Sequence, residues 1–402
     1  MAFDRLARFA SDRSGGVAVL FGLTALFMFG AAALAVDFAM ANRVKARIQA
    51  AADAAVLTAG SLLNATDETR KARGEVVFAA NLDSTVPASI AIAIAGGMVT
   101  ATAEYDMPTY FMRLFDRDQI DVTVSSAAPV VTQGEAEVVL VLDFSDSMVD
   151  ADKYVRMKDA ANLLLDIISD NGANTNVKVG LVPFAAMVHA DLDAADIRGD
   201  VSWNGCTQDR RHPANTTDET PSGLDDTKWG EITSSHDCAD MDSRGLKVVP
   251  LSSDLGMVRG KLNAMQPHMW THIALGAEFG WHVLSPNEPF SEGVAYDDPR
   301  TVKAMVLLTD GMQTAPGWGA DGNKSVANAE QNLTDICEGM KAKAIQVYTV
   351  GYDLSDPDTL ARLSSCAGPG RFFHATDVAT GLSASFGAIA QQIKITMLRL
   401  TQ

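Results

Sequence analysis

The stretch Val138-Val139-Leu140-Val141-Leu142-Asp143-Phe144-Ser145-Asp146-Ser147-Met148 decides the reading of this chain. Its first five residues are wholly apolar, and such a run fits a strand buried on both faces of a parallel sheet. It ends abruptly in Asp-x-Ser-x-Ser. A carboxylate and two hydroxyls therefore fall at the strand's carboxyl end, where open α/β sheets bind ligands. One carboxylate beside neutral hydroxyls suits a hard divalent cation such as Mg²⁺, with Mn²⁺ or Ca²⁺ as substitutes. It also leaves the ion's charge incompletely cancelled, so an incoming carboxylate is attracted.

A second stretch repeats the pattern. Ala304-Met305-Val306-Leu307-Leu308-Thr309-Asp310-Gly311 is another buried strand ending in an Asp, and Gly311 permits a sharp turn at the same sheet edge. Thr271, in Met269-Trp270-Thr271-His272-Ile273-Ala274-Leu275-Gly276, offers a third hydroxyl on an expected helix over 271–284. With these residues the chain resembles a von Willebrand factor type A domain and its metal-ion-dependent adhesion site. The resemblance implies that Asp143, Ser145, Ser147, Thr271 and Asp310 hold the ion directly or through water, with a partner's acidic residue completing the shell. Trp270 departs from that family's pattern, in which Gly commonly precedes the Thr. The competing reading is that Asp143 and Asp310 only cap the helices that follow their strands. No general base is evident beside the motif to turn bound water into a nucleophile, which favours binding over catalysis.

Around these motifs strands and helices alternate as a parallel sheet requires. Strands fit Val177–Val182, Ile345–Val350 and Arg371–His374. Helix-period segments fit Lys153–Ile168, 325–342 and 378–397. The right-handed crossover rule then gives a doubly wound, mostly parallel α/β sheet of Rossmann type. Residues 199–250 interrupt this order with a polar stretch without clear apolar period, in which acidic residues outnumber basic ones. A structureless spacer and a partner-docking loop both fit it. His268 and His272 have the i, i+4 spacing of helical metal ligands, yet no H-E-x-x-H surrounds them and Pro267 marks a helix start.

The chain has 402 residues, enough for two or three domains, and a formal charge of −18. That charge argues against nucleic-acid binding, which draws on basic surface to release counterions. Four cysteines, Cys206, Cys238, Cys337 and Cys366, are too widely spaced for a Cys-x-x-Cys redox or zinc motif. Locality favours the pairs Cys206–Cys238 and Cys337–Cys366 among three possible connectivities, with four reduced buried thiols as the alternative. Paired, they imply an oxidising compartment.

Gly15 to Val36 carries no charge, and a helix of that length spans roughly 30 Å, enough to cross a bilayer core. A cleaved signal peptide is the alternative, since Arg5, Arg8 and Arg13 precede it and Ala33-Leu34-Ala35 imitates a cleavage site. Arg43, Lys45 and Arg47 on the far flank balance the near-side arginines, so charge leaves the orientation a tie. The cysteines break it in favour of a cytoplasmic N-terminus. From Asp37 to about Ala80 the Ala-rich composition predicts a helix continuing out of the membrane. Ser89–Ile94, a Gly96-Gly97 turn, Val99–Ala103 and Ile120–Ser125 then predict a hairpin and a third strand.

The start Arg13-x-x-Gly16-Val17-Ala18-Val19-Leu20-Phe21, the exit Ala35-Val36-Asp37-Phe38-Ala39-Met40 and the helix through Asp53-Ala54-Ala55 resemble the TadE/TadG-like region of tight-adherence (Flp) pilus assembly proteins. Relatives processed by prepilin peptidase carry a Glu five residues past the cleaved Gly, whereas Phe21 stands there, so an intact anchor is expected. The combined resemblance, to TadG-type proteins, implies a cytoplasmic tail (1–14), a transmembrane helix (15–36), a pilin-like region (37–131), a linker (132–136) and a von Willebrand factor type A domain (137–402) with its insertion at 199–250. It implies a non-enzymatic, single-pass bacterial inner-membrane protein with most of the chain in the periplasm. The implied partners are pilus assembly components or pilin-like proteins. A generic envelope adhesion or chaperone module is the alternative, and a metal-dependent hydrolase is a third reading.

Overall fold

The computed structural model describes residues 15–63, 65–131, 134–198, 205–231 and 235–399. The expected tail 1–14, Thr132 and Gln133 of the expected linker, and the start of the insertion at 199–204 lie outside them. The chain divides into two compact units, Met1–Thr132 and Gln133–Gln402.

In the first unit, α1 runs from Gly15 to Ser61, 47 residues or about 70 Å. Its early apolar part is long and apolar enough to cross a membrane and is not buried in protein, which is consistent with a single-pass anchor. From Asp37 onward one face is buried through Ala41, Ile48, Ala51, Ala52, Ala55, Val56 and Ala59. Small side chains at helical spacing let strands approach closely. The expected uninterrupted helix to about Ala80 is corrected here. The helix stops at Ser61 and a second, α2, begins at Asp67 and ends at Asn81.

Local chemistry explains the break. The Thr66 side chain accepts the Thr69 N–H, and Asp67 and Glu68 occupy the first turn, where negative charge favours a helix N-terminus. Buried Arg70 donates to the carbonyls of Ala59 (2.9 Å) and Gly60 (3.1 Å), satisfying the open end of α1. The helix pair packs on an antiparallel sheet of β1 (Ser89–Ala95), β2 (Met98–Pro108) and β3 (Gln119–Pro129). Gly96 and Gly97, at φ +58° and +74°, make the expected turn, which side chains bearing a Cβ adopt reluctantly.

The second unit is α/β. Its strands are β4 (Glu135–Asp143), β5 (Val177–Phe184), β6 (Val249–Ser252), β7 (Thr301–Thr309), β8 (Gln346–Tyr352) and β9 (Phe372–Ala375). They form one sheet in the order β6-β5-β4-β7-β8-β9, parallel except for the edge strand β6. Its larger helices are α3 (Lys153–Ile168), α4 (Ser235–Ser243), α5 (Leu255–Ala264), α6 (Ile273–Leu284), α7 (Val326–Ala342), α8 (Pro357–Ala367) and α9 (Gly381–Arg399).

Alternation along the strands sorts the helices into two cores. Val138, Leu140 and Leu142 share a cluster with residues of α3, α5 and α9. Val139 and Val141 share the other with α6, α7 and α8. Because both faces of β4 are covered, its sequence is apolar without alternation. Close approach of α6 depends on Gly276 and Gly280. A Cβ at Gly280 would lie 2.5 Å from a Val141 methyl, and one at Gly276 would lie 2.6 Å from the Phe184 ring.

Within the expected insertion at 199–250, two short strands join two that precede it. Val188–His189, Ile197–Arg198, Cys206–Gln208 and Trp229–Glu231 make a four-stranded sheet, and α4 follows. Two devices order so polar a segment. Cys206 is bonded to Cys238. Arg210 is fully buried, with its Nε donating to Glu278 at 2.7 Å and its other nitrogens to the carbonyls of Glu219 (2.8 Å) and Thr217 (2.6 Å). Its guanidinium also lies over the Trp229 ring, 4.9 Å from the centroid. The other pair, Cys337–Cys366, ties α7 to the end of α8.

Candidate metal centre at the strand ends

The chain enters the second unit on β4, proceeds to β5 on one side and β6 beyond it, then returns to place β7 on the other side of β4. The order reverses between β4 and β7, so a crevice opens at their carboxyl ends. Leu142 pairs with Leu308, which sets Asp143 opposite Thr309 and puts Asp310 one residue beyond.

All five residues implied as ion ligands come to this crevice. Asp143 is fully buried, with Oδ1 accepting the Ser145 N–H (2.8 Å) and Oδ2 accepting the Thr309 hydroxyl (2.7 Å). Ser145 and Ser147 hydroxyls are 3.0 Å apart, and Ser147 donates to Asp310 Oδ1 at 2.6 Å. A Cβ on Gly311 would lie 3.7 Å from Thr271 Oγ1 and 3.8 Å from Ser147 Oγ, so the missing side chain leaves that space open. Thr271 lies before α6 rather than on it, which corrects the expected helix over 271–284. Its N–H donates to the Thr314 hydroxyl (3.0 Å) and its carbonyl accepts from the amides of Thr314 and Ala315 (both 3.0 Å).

Burial, and then the negative charge of Asp310, pushes the Asp143 carboxyl up to about 7, against the bonds from Ser145 and Thr309. Two carboxylates sharing a buried crevice call for a cation. One is built in: Lys153 Nζ donates to Asp310 Oδ2 at 2.6 Å, with both side chains almost completely buried. Lys153 follows Ala151 and Asp152, both in the left-handed region at φ +52° and +55°. Such conformations are unfavourable for residues other than Gly and gather at functional sites.

Sequence reasoning missed Lys153, Thr309 and Gln313 as members of this site. Thr309 stood inside the quoted strand-end motif, so its position was available though its role was not. Lys153 begins an amphipathic helix and reads as an exposed cation. Gln313 caps α6, its Oε1 accepting the N–H groups of Ile273 (2.7 Å) and Ala274 (3.3 Å). Asp146 faces solvent and also clamps the neighbouring loop: its Oδ1 accepts the Met269 N–H (3.0 Å) while its own N–H donates to the Met269 carbonyl (2.8 Å).

The two discounted histidines do not share a helix. His272 is the N-cap of α6, its Nδ1 accepting from the Leu275 N–H at 3.2 Å, and burial holds it down at about 4. His268 lies 3.8 Å from Asp240 instead. Above the hydroxyls a shallow cleft of about 530 Å³ opens, rimmed by Trp270 and Met312, which are 69% and 53% exposed. The donor set fits a hard divalent cation: oxygen atoms only, two carboxylates and three hydroxyls, with the serine hydroxyls facing the cleft.

Residues 15–63 match the Tad family model, described as Flp pilus-assembly TadE/G-like. The chain thus carries a TadE/G-like segment at its N-terminus. No curated protein matches the sequence. Among solved structures it is similar to the pilus adhesin SpaC from Lactobacillus rhamnosus GG, at 15% identity and a TM-score of 0.40, covering 78% of this chain and 35% of SpaC. The chain thus spans about a third of SpaC's length. It is also similar to the vWF domain of the type V pili tip protein Mfa5 from Porphyromonas gingivalis, at 14% identity and 0.41, covering 66% of this chain and 97% of that domain. The pilus adhesin RrgA from Streptococcus pneumoniae follows at 11% identity and 0.37, with 77% and 49% covered.

Proposed function

We propose that this chain is a membrane-anchored, non-enzymatic component of tight-adherence (Flp) pilus assembly that grips protein partners through a metal-ion-dependent adhesion site. The second unit is read as a doubly wound von Willebrand factor type A fold. The observation that carries the proposal is the meeting of Asp143, Asp310, Ser145, Ser147 and Thr271 at one crevice, in a chain that begins with a TadE/G-like segment.

In this reading Asp143, Ser145, Ser147, Thr271 and Asp310 hold Mg²⁺, or Mn²⁺ or Ca²⁺ in its place. The bound ion supplies uncancelled positive charge that an acidic residue of a partner completes. Trp270 and Met312 lend apolar contact around it. Asp143 and Thr309 hold the strand ends in register, and Lys153 keeps Asp310 fixed and partly neutralised before the ion arrives.

The proposed layout is a cytoplasmic tail (1–14), transmembrane helix (15–36), pilin-like region (37–131), linker (132–136) and adhesion domain (137–402), with residues after 36 in the periplasm and the anchor in the inner membrane. The partners are pilus assembly components or pilin-like proteins. The test is a chromosomal Asp143→Ala strain. Loss of piliation and surface attachment with normal protein level supports the reading, together with partner capture in Mg²⁺ that chelation abolishes. Unchanged piliation with metal-dependent capture of unrelated envelope proteins favours a generic adhesion or chaperone module. Metal-dependent turnover by the purified protein, lost in Asp143→Ala, favours a hydrolase.

A further inference from the structure

The connection between β2 and β3 turns large apolar side chains outward. Tyr110, Phe111, Leu114 and Phe115 are 67%, 41%, 78% and 62% exposed around the short turn Met112–Phe115. A connection between two strands needs no such residues, and in water their exposure is unfavourable.

Consecutive N–H groups of the same segment are held inward. Asp37, the first residue beyond the apolar span of α1, is buried, and its carboxylate accepts the N–H groups of Tyr110 (3.2 Å), Phe111 (2.8 Å) and Met112 (2.7 Å). Leu114 donates to the Phe111 carbonyl at 3.1 Å, and Arg117 to that of Met112 at 3.3 Å. Turning apolar side chains outward while holding these N–H groups inward lowers the cost of bringing such backbone to lipid.

The loop is also continuous with the anchor. Leu26, Phe29 and Leu34 of α1 line a cleft of about 880 Å³ together with Phe111, Leu114 and Phe115. Charge gives no competing explanation, because Arg113 and Arg117 are offset by Asp116 and Asp118.

We propose that Tyr110–Phe115 is a wedge that enters the interfacial layer of the bilayer spanned by α1, with lipid acyl chains filling the cleft between them. Tyr and Phe at that level, tied to α1 through Asp37, set the depth and rotation of the anchor. This rests on reading α1 as an anchor, so its test must separate the two. In the full chain, a cysteine replaces Leu114, Phe27 or Thr102, the last on the solvent face of β2, and carries an environment-sensitive fluorophore. Each labelled protein is reconstituted into phosphatidylcholine–phosphatidylglycerol vesicles containing lipids with a quencher at shallow or deep positions.

The expected result is a blue shift and shallow quenching at Leu114, deep quenching at Phe27, and neither at Thr102. A water-exposed Leu114 probe beside a deeply quenched Phe27 probe overturns the wedge and leaves the anchor standing. A blue-shifted Leu114 probe that no lipid quenches also overturns it, since protein then covers the loop. Absence of quenching at Phe27 as well overturns the anchor and the wedge with it.

Discussion

Thr309 donates its hydroxyl to the Asp143 carboxylate at 2.7 Å across the β4–β7 pair, so the last residue of one strand fixes the carboxylate that ends its neighbour. The bond spans the point where strand order reverses. It couples the geometry of the crevice to the register of the sheet's two central strands.

Replacing that hydroxyl with a methyl of the same shape isolates its role. Thr309→Val should leave the fold intact and weaken divalent-cation binding by about 10–100-fold, the usual effect of losing a group that orients a ligand. Titration calorimetry measures it, and unchanged affinity would show that Asp143 needs no such support.

Lys153 and a divalent ion both serve Asp310. In Lys153→Met the buried Asp310 loses its partner, and breaking such a pair destabilises by about 3–5 kcal/mol. Added Mg²⁺ should restore most of the loss and bind more tightly than to the wild type. Thermal melts with and without chelator test this, and a variant that Mg²⁺ fails to rescue would place Lys153 outside the site.

Asp143 also makes a pH prediction. Its carboxyl is raised to about 7 in the folded, metal-free chain and titrates near 4 when unfolded. As pH rises through this window the unfolded chain ionises first, so this group's contribution to stability falls, and above about 7 the loss is complete, at roughly 4 kcal/mol. Chelated protein should therefore lose stability between about pH 4 and pH 7 relative to Asp143→Asn. Equal pH profiles in the two proteins would contradict it.

Gly280→Ala opposes two effects of known size. Ala favours a helix by about 0.8–1 kcal/mol over Gly, yet its Cβ would meet a Val141 methyl at 2.5 Å, and overpacking a tight core costs about 1–3 kcal/mol. The clash should win, giving net destabilisation in denaturant melts. A stabilised variant would mean α6 can lift from the sheet freely.

The central strands were legible because a run such as Val138–Leu142, apolar without alternation, has few other places to go. The disulfide pairs were legible from locality. Other features depend on partners distant in sequence. The insertion folds around Arg210, whose carboxylate partner Glu278 lies 68 residues away, and local composition reads only as polar. The break after Ser61 hides in a helix-favouring stretch, since Thr66 and Arg70 act as caps only once the chain has turned. Lys153 illustrates the same limit within the site, because burial of a lysine is decided by where its helix lands. That Asp143, Ser145, Ser147 and Asp310 gather at one sheet edge was legible because their spacing to a strand end is itself the signal.

Mn²⁺ binding to the full chain in detergent, followed by electron paramagnetic resonance, decides whether the crevice holds an ion. One tightly held equivalent is expected, which Mg²⁺ displaces and which Asp143→Ala and Asp310→Ala each abolish while the protein stays folded. No bound equivalent in the wild type, or one that survives both substitutions, would contradict it.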